Sequence, residues 1–218
     1  GTVNITLNGT EPEYEITENV AWDKLEWSEQ LSNLANRCDA ICFGTLGQRL
    51  EPAKSTIQKF IRTATQANRL FDVNLRQKYF SRDILDVGFH SASIVKMNEA
   101  ELPIVSAILS LPEDKSTIPQ IIDRYSLDLF VLTRGKLGTK IYSLDEIVEG
   151  MPAYFNPEEK ADSVGAGDAC SAAILHGVVR DWPLQKTANL ANQLGAYVAS
   201  RSGATPNLPL EILSEWKT

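Results

Sequence analysis

Apolar residues recur along this chain in two different periods, and the change from one to the other marks the predicted elements. Short apolar runs at residues 40–43, 70–73, 93–96 and 129–133 are typical of strands buried on both faces. The longer segments between them place apolar residues three or four positions apart, as amphipathic helices do. Alternating strands and helices favour a mainly parallel sheet that is covered by helices on both faces.

The remaining elements complete an α/β fold, a three-layer αβα sandwich preceded by a β-ribbon. Helices are predicted at about 25–38, from 52, near 82–90, and at 99–110, 117–125, 166–180, 184–200 and 208–216. Residues 139–142 and 146–148 have the pattern of strands, and because they come late in the chain we expect them to be antiparallel strands at an edge of the sheet. The first residues alternate apolar and polar positions on either side of Asn8-Gly9, a hairpin turn signal. We therefore divide the chain into a partial lid ribbon at 1–20 and a core at 21–218.

Composition and charge exclude several classes of protein. The chain has 218 residues, 43% of them hydrophobic, and a formal charge of -7, so neither nucleic acid nor an acidic membrane is an expected partner. No apolar run approaches the roughly 20 residues that span a bilayer. We predict a cytoplasmic protein whose three cysteines are reduced and buried.

The most informative stretch is residues 162–168, Asp-Ser-Val-Gly-Ala-Gly-Asp, followed by an apolar helix. Gly165 and Gly167 allow a tight turn that exposes backbone N–H groups at the positive end of that helix, which is an anion site. Asp168 adds a carboxylate beside it, and a base next to a phosphate site indicates phosphoryl transfer to a hydroxyl. A simple loop-to-helix turn with an acidic first-turn residue is the alternative.

Polar residues also follow several predicted strands, at the edge of the sheet where ligands bind in such folds. They are Asp72, Asn74 and Arg76; Asn98 and Glu101; Thr133, Gly135 and Gly138; and the Gly203-Ala204 turn. Each has a structural alternative: Asn98 and Glu101 fit a helix capping box, Thr133 a turn, and Arg76 a surface cation. Their occurrence at successive strand ends favours one shared site.

These motifs, in this order, resemble those of the ribokinase-like (PfkB-type) carbohydrate kinases, over essentially the whole chain. The strings at 21–23, 43–46 and 72–76 are most similar to those of bacterial fructokinase-like members. The resemblance implies ATP and Mg²⁺ as cofactors, with K⁺ as a further option, a small sugar as substrate, and leaves open a homodimer formed through the lid strands.

The resemblance also implies a role for each candidate residue. Asp168 is the base, and the backbone of Gly165, Ala166 and Gly167 forms the anion hole. Asn98 and Glu101 organise Mg²⁺ and its waters. The remaining implied sites are Thr133, Gly135, Gly138 and Asn192 for ATP; Asp72, Asn74 and Arg76 for the sugar; and Asp162, Ser200 and Gly203 for a monovalent cation.

The sequence leaves open the activity of this chain alone, its substrate and a non-catalytic alternative. Family members usually begin with a segment that has a sugar-binding Asp on the first strand and a Gly-Gly pair followed by an Asn, and this sequence shows none of these features. We therefore expect this chain alone to bind nucleotide but to have weak or no sugar kinase activity. The substrate is a fructose-like sugar or a keto-deoxy sugar acid. A non-catalytic, nucleotide-binding or interaction subunit is the alternative function, whereas a dinucleotide-binding oxidoreductase lacks the required G-x-G-x-x-G.

Overall fold

The computed structural model describes residues 1–8 and 11–215, in which strands and helices alternate as the sequence predicts. The strands are β1 (Val3–Asn8), β2 (Glu11–Ile16), β3 (Ala40–Gly44), β4 (Asn68–Asp72), β5 (Ile94–Asn98), β6 (Leu129–Thr133), β7 (Thr139–Tyr142) and β8 (Ile147–Glu149). The α-helices are α1 (Glu29–Ala35), α2 (Ala53–Thr63), α3 (Arg82–Ser91), α4 (Glu101–Leu109), α5 (Thr117–Tyr125), α6 (Ala166–Val179), α7 (Leu184–Ala199) and α8 (Leu210–Glu215).

The central sheet has six strands in the order β3-β4-β5-β6-β7-β8. The first four are parallel, and β7 and β8 are antiparallel to their neighbours, as predicted for the late edge strands. Because parallel strands end on the same side of a sheet, the residues that follow β3, β4, β5 and β6 are brought to one edge.

Helices pack on both faces of this sheet, which confirms the three-layer αβα sandwich. On one face Phe71, Met97 and Phe130 pack with the inner sides of α3, α4 and α5. On the other face Leu70 and Val131 pack with α6, α7 and α8. Adjacent residues of β4 and of β6 therefore lie in different cores, which explains why these strands are apolar at consecutive positions.

A few boundaries differ from the sequence-based prediction. The helix predicted at 25–38 begins at Glu29, because Ser28 accepts a hydrogen bond from the Leu31 backbone at 3.3 Å and caps it. A 3₁₀ turn at Ala21–Lys24 precedes it. The hairpin turn predicted at Gly9 and the end of the last helix at Trp216 lie outside the described residues.

β1 and β2 form a separate antiparallel ribbon, and an arginine connects its base to the core. Arg49 donates to the two carboxylate oxygens of Asp23 at 2.9 and 2.8 Å and to the Thr17 carbonyl, just after β2, at 2.6 Å. Its guanidinium also lies over the rings of Trp22 and Tyr79. Arg49 lowers the pKa of Asp23, which keeps the ion pair charged. The division of the chain at residue 20 stays a prediction.

The cysteines differ in exposure, so one part of the prediction is wrong. Cys170 is buried, whereas Cys38 is partly exposed and Cys42 is exposed on β3. All three are free thiols, as predicted. Cys42 lies on β3, which among the described residues is an edge strand of the sheet. No helix in the described part of the chain has the length and apolar character needed to cross a bilayer.

Close packing between α3 and β4 gives the first testable prediction. A Cβ placed on Gly88 would approach the fully buried ring of Phe71 to 2.5 Å, so we expect Gly88→Ala to destabilise the fold by about 1 to 3 kcal/mol through overpacking. The matched control is Gly195→Ala in α7, where the new Cβ makes an ordinary 3.4 Å contact and should stabilise the helix by about 0.5 to 1 kcal/mol. Urea unfolding measures both, and equal effects would contradict the packing argument.

Candidate functional site

The N-terminus of α6 lies at the carboxyl edge of the sheet and depends on one left-handed residue. Gly165 precedes the helix with φ 81°, a conformation that L-residues with a side chain rarely adopt. A Cβ at this position would also come within 2.5 Å of the Ala204 carbonyl oxygen. Glycine is therefore required here both for the turn and for the approach of the 201–204 loop.

The first turn of α6 offers two backbone donors. The Ala166 N–H donates to the Ser163 carbonyl at 3.3 Å, and the Ala169 N–H donates to the Gly165 carbonyl at 2.8 Å. The N–H groups of Gly167 and Asp168, between them, have no acceptor within the helix because they belong to its first turn. Gly167 and Asp168 are also exposed, so the exposed turn that carries the Asp168 carboxylate also presents these donors at the positive end of the helix dipole.

Asp162 holds the loop before α6 against the loop after α7. Its carboxylate accepts hydrogen bonds from the Val164 N–H at 2.9 Å and from the Gly203 N–H at 3.0 Å, while its own N–H donates to the Arg201 carbonyl. The backbone donors of Gly203 and Val164 lower the pKa of Asp162 below its usual value of 3.8. The predicted pair of Asp162 and Gly203 is thus in direct contact.

A buried ion pair lies between the strand ends and the first turn of α6. Lys96 Nζ donates to Asp72 Oδ2 at 2.6 Å, and Ser171 Oγ of α6 donates to the same oxygen at 2.8 Å. Burial by itself lowers the pKa of Lys96, but the charge and the hydrogen bond of Asp72 outweigh burial and raise it. Lys96 is therefore a charged ammonium, and Asp72 Oδ2, part of a residue predicted to bind the sugar, is occupied within the protein.

Asn98 and Glu101 form the reciprocal pair expected of a capping box. The Glu101 N–H donates to Asn98 Oδ1 and the Asn98 N–H donates to Glu101 Oε2, both at 2.9 Å. The other carboxylate oxygen of Glu101 accepts from the Leu75 N–H at 2.8 Å, which ties the segment after β4 to the start of α4. Glu101 is 6% exposed. The hydrogen bonds of a capping box are therefore present, although α4 begins at Glu101 with Ala100 rather than Asn98 as its N-cap. The role of the pair toward Mg²⁺ stays a prediction.

The turn between β6 and β7 is in contact with α7. Thr133 pairs with Asn98 across the sheet, and the turn that follows has Gly138 at φ 80°. A Cβ on Gly138 would approach Asn192 Nδ2 to 2.5 Å, so the absence of a side chain lets Asn192 of α7 pack against the turn. Asn192 Nδ2 donates to the Met151 carbonyl, and its buried Oδ1 has no hydrogen-bond partner among the described residues.

Three further predicted residues differ in their surroundings: Asn74 is half-buried, Arg76 is exposed and Ser200 is buried. Asn74 adopts φ 41°, and its carbonyl accepts from Thr45 Oγ1 at 3.3 Å. Arg76 is exposed, with one guanidinium hydrogen bond to the neighbouring Leu75 carbonyl. Ser200 Oγ and the Ser200 carbonyl both accept from Arg201 Nη1, at 2.9 and 3.0 Å. The positively charged Arg201 guanidinium therefore already lies beside Ser200. The sugar and monovalent-cation roles of these residues stay predictions.

Sequence reasoning assigned no role to Lys96 and Ser171. A signal for Lys96 was present, since a charged residue within the apolar strand Ile94–Asn98 requires a buried partner. Nothing in the sequence indicated Ser171, because its partner Asp72 is 99 residues away. In the described part of the chain no three His, Cys, Asp or Glu residues cluster as a metal site.

Comparison with known proteins identifies the family. The profile described as "pfkB family carbohydrate kinase" matches residues 6–211. Fructokinase-1 of Oryza sativa subsp. japonica is 30% identical over 218 residues, which cover 93% of this chain and 65% of that protein. A fructokinase of Salmonella thompson is 30% identical over 176 residues, covering 74% of this chain and 76% of that one.

The fold agrees with this match. The crystal structure of a fructokinase with bound ATP from Xylella fastidiosa superposes with a TM-score of 0.80 at 19% identity, over 99% of this chain and 72% of that one. The chain belongs to the pfkB family of carbohydrate kinases. It spans about two thirds of the rice relative's length, 65%.

The bonds of Asp162 lead to a prediction about the two loops. Asp162→Ala removes the acceptor for two backbone N–H groups, so we expect faster amide hydrogen exchange at Val164 and Gly203 with little change in the sheet. In the unmodified protein the same protection should be present above pH 3.8 and be lost as pH falls through the lower folded-state pKa, because protonation removes the charge that these bonds stabilise. Unchanged exchange in the variant would show that another contact holds the loops together.

Proposed function

We propose that this protein uses ATP to phosphorylate a hydroxyl group of a small, fructose-like sugar. The observation that supports this most directly is the first turn of α6, where the accessible N–H groups of Gly167 and Asp168 and the Asp168 carboxylate occupy one exposed turn. An anion site and a base this close together suit a reaction in which a phosphoryl group moves to a hydroxyl.

In the proposed reaction Asp168 accepts the proton of the sugar hydroxyl. The hydroxyl oxygen then forms a bond to the γ-phosphorus of ATP as the bond to the leaving ADP oxygen breaks. Negative charge on the transferring group is stabilised by the N–H groups at the start of α6, which need no rearrangement because Gly165 holds them in place. The products are a sugar phosphate and ADP.

Contacts of the β6–β7 turn support a nucleotide-binding role for Thr133, Gly135, Gly138 and Asn192. Asn192 Oδ1 is a buried acceptor with no partner among the described residues, and an unpaired buried acceptor costs about 1 to 3 kcal/mol. A base with an exocyclic amino group, such as adenine, can supply the missing donor. Because Gly138 has no side chain, Asn192 can approach this turn closely, which places the unpaired acceptor beside it.

Asn98 and Glu101 fit Mg²⁺ bound through water. Their carboxylate and amide oxygens already accept backbone hydrogen bonds, and each retains a second lone pair that can accept from a metal-bound water. Mg²⁺ keeps several waters and binds mainly substrate phosphates, so few direct protein ligands are required. When bound, the ion would neutralise charge on the nucleotide phosphates.

The choice of sugar rests on the fructokinase names of the two relatives. Asp72 Oδ1, Asn74 and Arg76 are the proposed polar contacts on the β4 side of the site, and a keto-deoxy sugar acid is the second substrate class. A sugar panel with coupled ADP detection discriminates between these two substrate classes.

A potassium requirement at Asp162, Ser200 and Gly203 and a homodimer through the lid strands stay predictions.

Asp168→Asn tests the proposed base. The change keeps the shape of the side chain but removes the proton acceptor, so we expect turnover to fall by about 10²-fold or more while the dissociation constant for ATP changes little. The assay compares this chain with a form that spans the relatives' full length, using ATP and fructose. Near-normal turnover of the variant would exclude Asp168 as the base, and ATP binding without any transfer by either form would favour a non-catalytic subunit.

Gly167→Val tests the anion hole. A Cβ at residue 167 meets only Lys96 Nζ, at 3.8 Å, so the helix should tolerate it, whereas a bulky side chain beside the exposed N–H groups should obstruct a phosphate. We expect loss of transfer with a thermal midpoint close to that of Ala172→Val, a control on an exposed position of the same helix. If Gly167→Val retained transfer, the phosphoryl group would have to bind elsewhere.

A further inference from the structure

Lys96 is a buried ammonium with hydrogen-bonding capacity to spare. The residue is 5% exposed, and among the described residues its Nζ donates one hydrogen bond, to Asp72 Oδ2 at 2.6 Å. An ammonium group has three N–H donors and no acceptor. Two donors are therefore available to a further acceptor next to Nζ.

The position of Nζ indicates where that acceptor would lie. Among atoms outside α6, Lys96 Nζ is the nearest to a Cβ placed on Gly167, at 3.8 Å. The ammonium thus lies next to the first turn of α6, in the direction left open by the missing side chain. Asp72 and Ser171 hold it there, since Ser171 Oγ lies 2.8 Å from Asp72 Oδ2 and 3.1 Å from the Gly167 carbonyl oxygen and shares its single hydrogen between these two acceptors.

We propose that Lys96, positioned by Asp72 and Ser171, supplies the positive side-chain charge of the anion site and contacts the terminal phosphate of the nucleotide. This inference rests on the proposed function and adds to it a residue from β5. The chain has a net negative charge, so a polyphosphate has to be attracted by local groups. Backbone N–H groups offer partial charges only, whereas the ammonium offers a full one.

A purely structural role explains this pair less well. Replacing a buried ion pair by neutral groups of similar volume is often harmless to stability, because desolvation of the charges offsets their attraction. Stability alone therefore gives little reason for a lysine at this place in an apolar strand. The pair also has a direction, with its positive end toward Gly167 and its negative end toward Ser171, which suits an anion at the start of α6.

The test compares ATP with ADP, since only ATP has the terminal phosphate. We expect Lys96→Met to weaken ATP binding about tenfold or more, the range for a lost hydrogen bond to a charged group, and to leave ADP binding within about threefold, by calorimetry in the presence of Mg²⁺. Because the single variant leaves Asp72 buried without its partner, the double variant Lys96→Met with Asp72→Asn is the decisive one.

The double variant separates a phosphate-binding role of Lys96 from a purely structural one. We expect its thermal midpoint to recover toward that of the unmodified protein, while its preference for ATP over ADP stays about tenfold lower. A matched control removes the other buried ion pair, with Arg49→Met and Asp23→Asn, and should leave the ratio of ATP to ADP affinity unchanged. Nitrogen NMR of the Lys96 ammonium in the unmodified protein, which needs no substitution, should show a shift with ATP that ADP does not produce.

Several outcomes would overturn the inference. Recovery of ATP preference in the double variant, or an ammonium resonance that responds equally to both nucleotides, would make the lysine structural only and leave the proposed function intact. No detectable ATP binding by the unmodified protein would instead contradict the proposed function itself, and the inference with it.

Discussion

The left-handed backbone at Gly165 is the constraint on which the candidate site depends. It turns the chain so that the first turn of α6 meets the ends of β4 and β5, and it brings the Ala204 carbonyl so close that a Cβ would stand only 2.5 Å from it. Any other residue would strain the backbone and displace one of the two loops. The accessible N–H groups of Gly167 and Asp168 are a consequence of this turn.

Around that turn, hydrogen bonds from different parts of the chain converge on a few carboxylates. Asp162 joins the loops before α6 and after α7, Glu101 joins the segment after β4 to α4, and Asp72 joins β4 to β5 and α6. Each carboxylate accepts at least two donors that are far apart in sequence or lie in different elements. Their charges therefore hold the site together in addition to any contact with a ligand.

This arrangement shows that a structural role and a ligand-binding role need not compete. The Asn98–Glu101 pair satisfies backbone donors at the start of α4 and still has lone pairs for water. The Lys96–Asp72 pair is costly to desolvate, yet it places a full positive charge next to the start of α6. Asn192 Oδ1 is a buried acceptor without a partner among the described residues, and the proposed contact with adenine would satisfy it.

The sequence by itself determined most of the elements and the fold class, because these depend on local patterns, whereas roles such as those of Asn192 and Ser200 were implied only by the family resemblance and stay predictions. Apolar periodicity located strands such as Leu129–Thr133 nearly to the residue, and the glycine string at 165–167 indicated the turn before α6. Periodicity alone did not locate the start of α1, which Ser28 sets by capping the helix.

Only the tertiary structure decided which polar groups meet. The register of β4 and β5 sets Asp72 beside Lys96, and the packing of α6 on the sheet brings Ser171, 99 residues along, to the same oxygen. The exposure of Cys42 was likewise not evident from its apolar sequence environment. Side-chain spacing describes one element at a time, whereas these contacts arise from strand order and helix packing, which join residues that are distant in the chain.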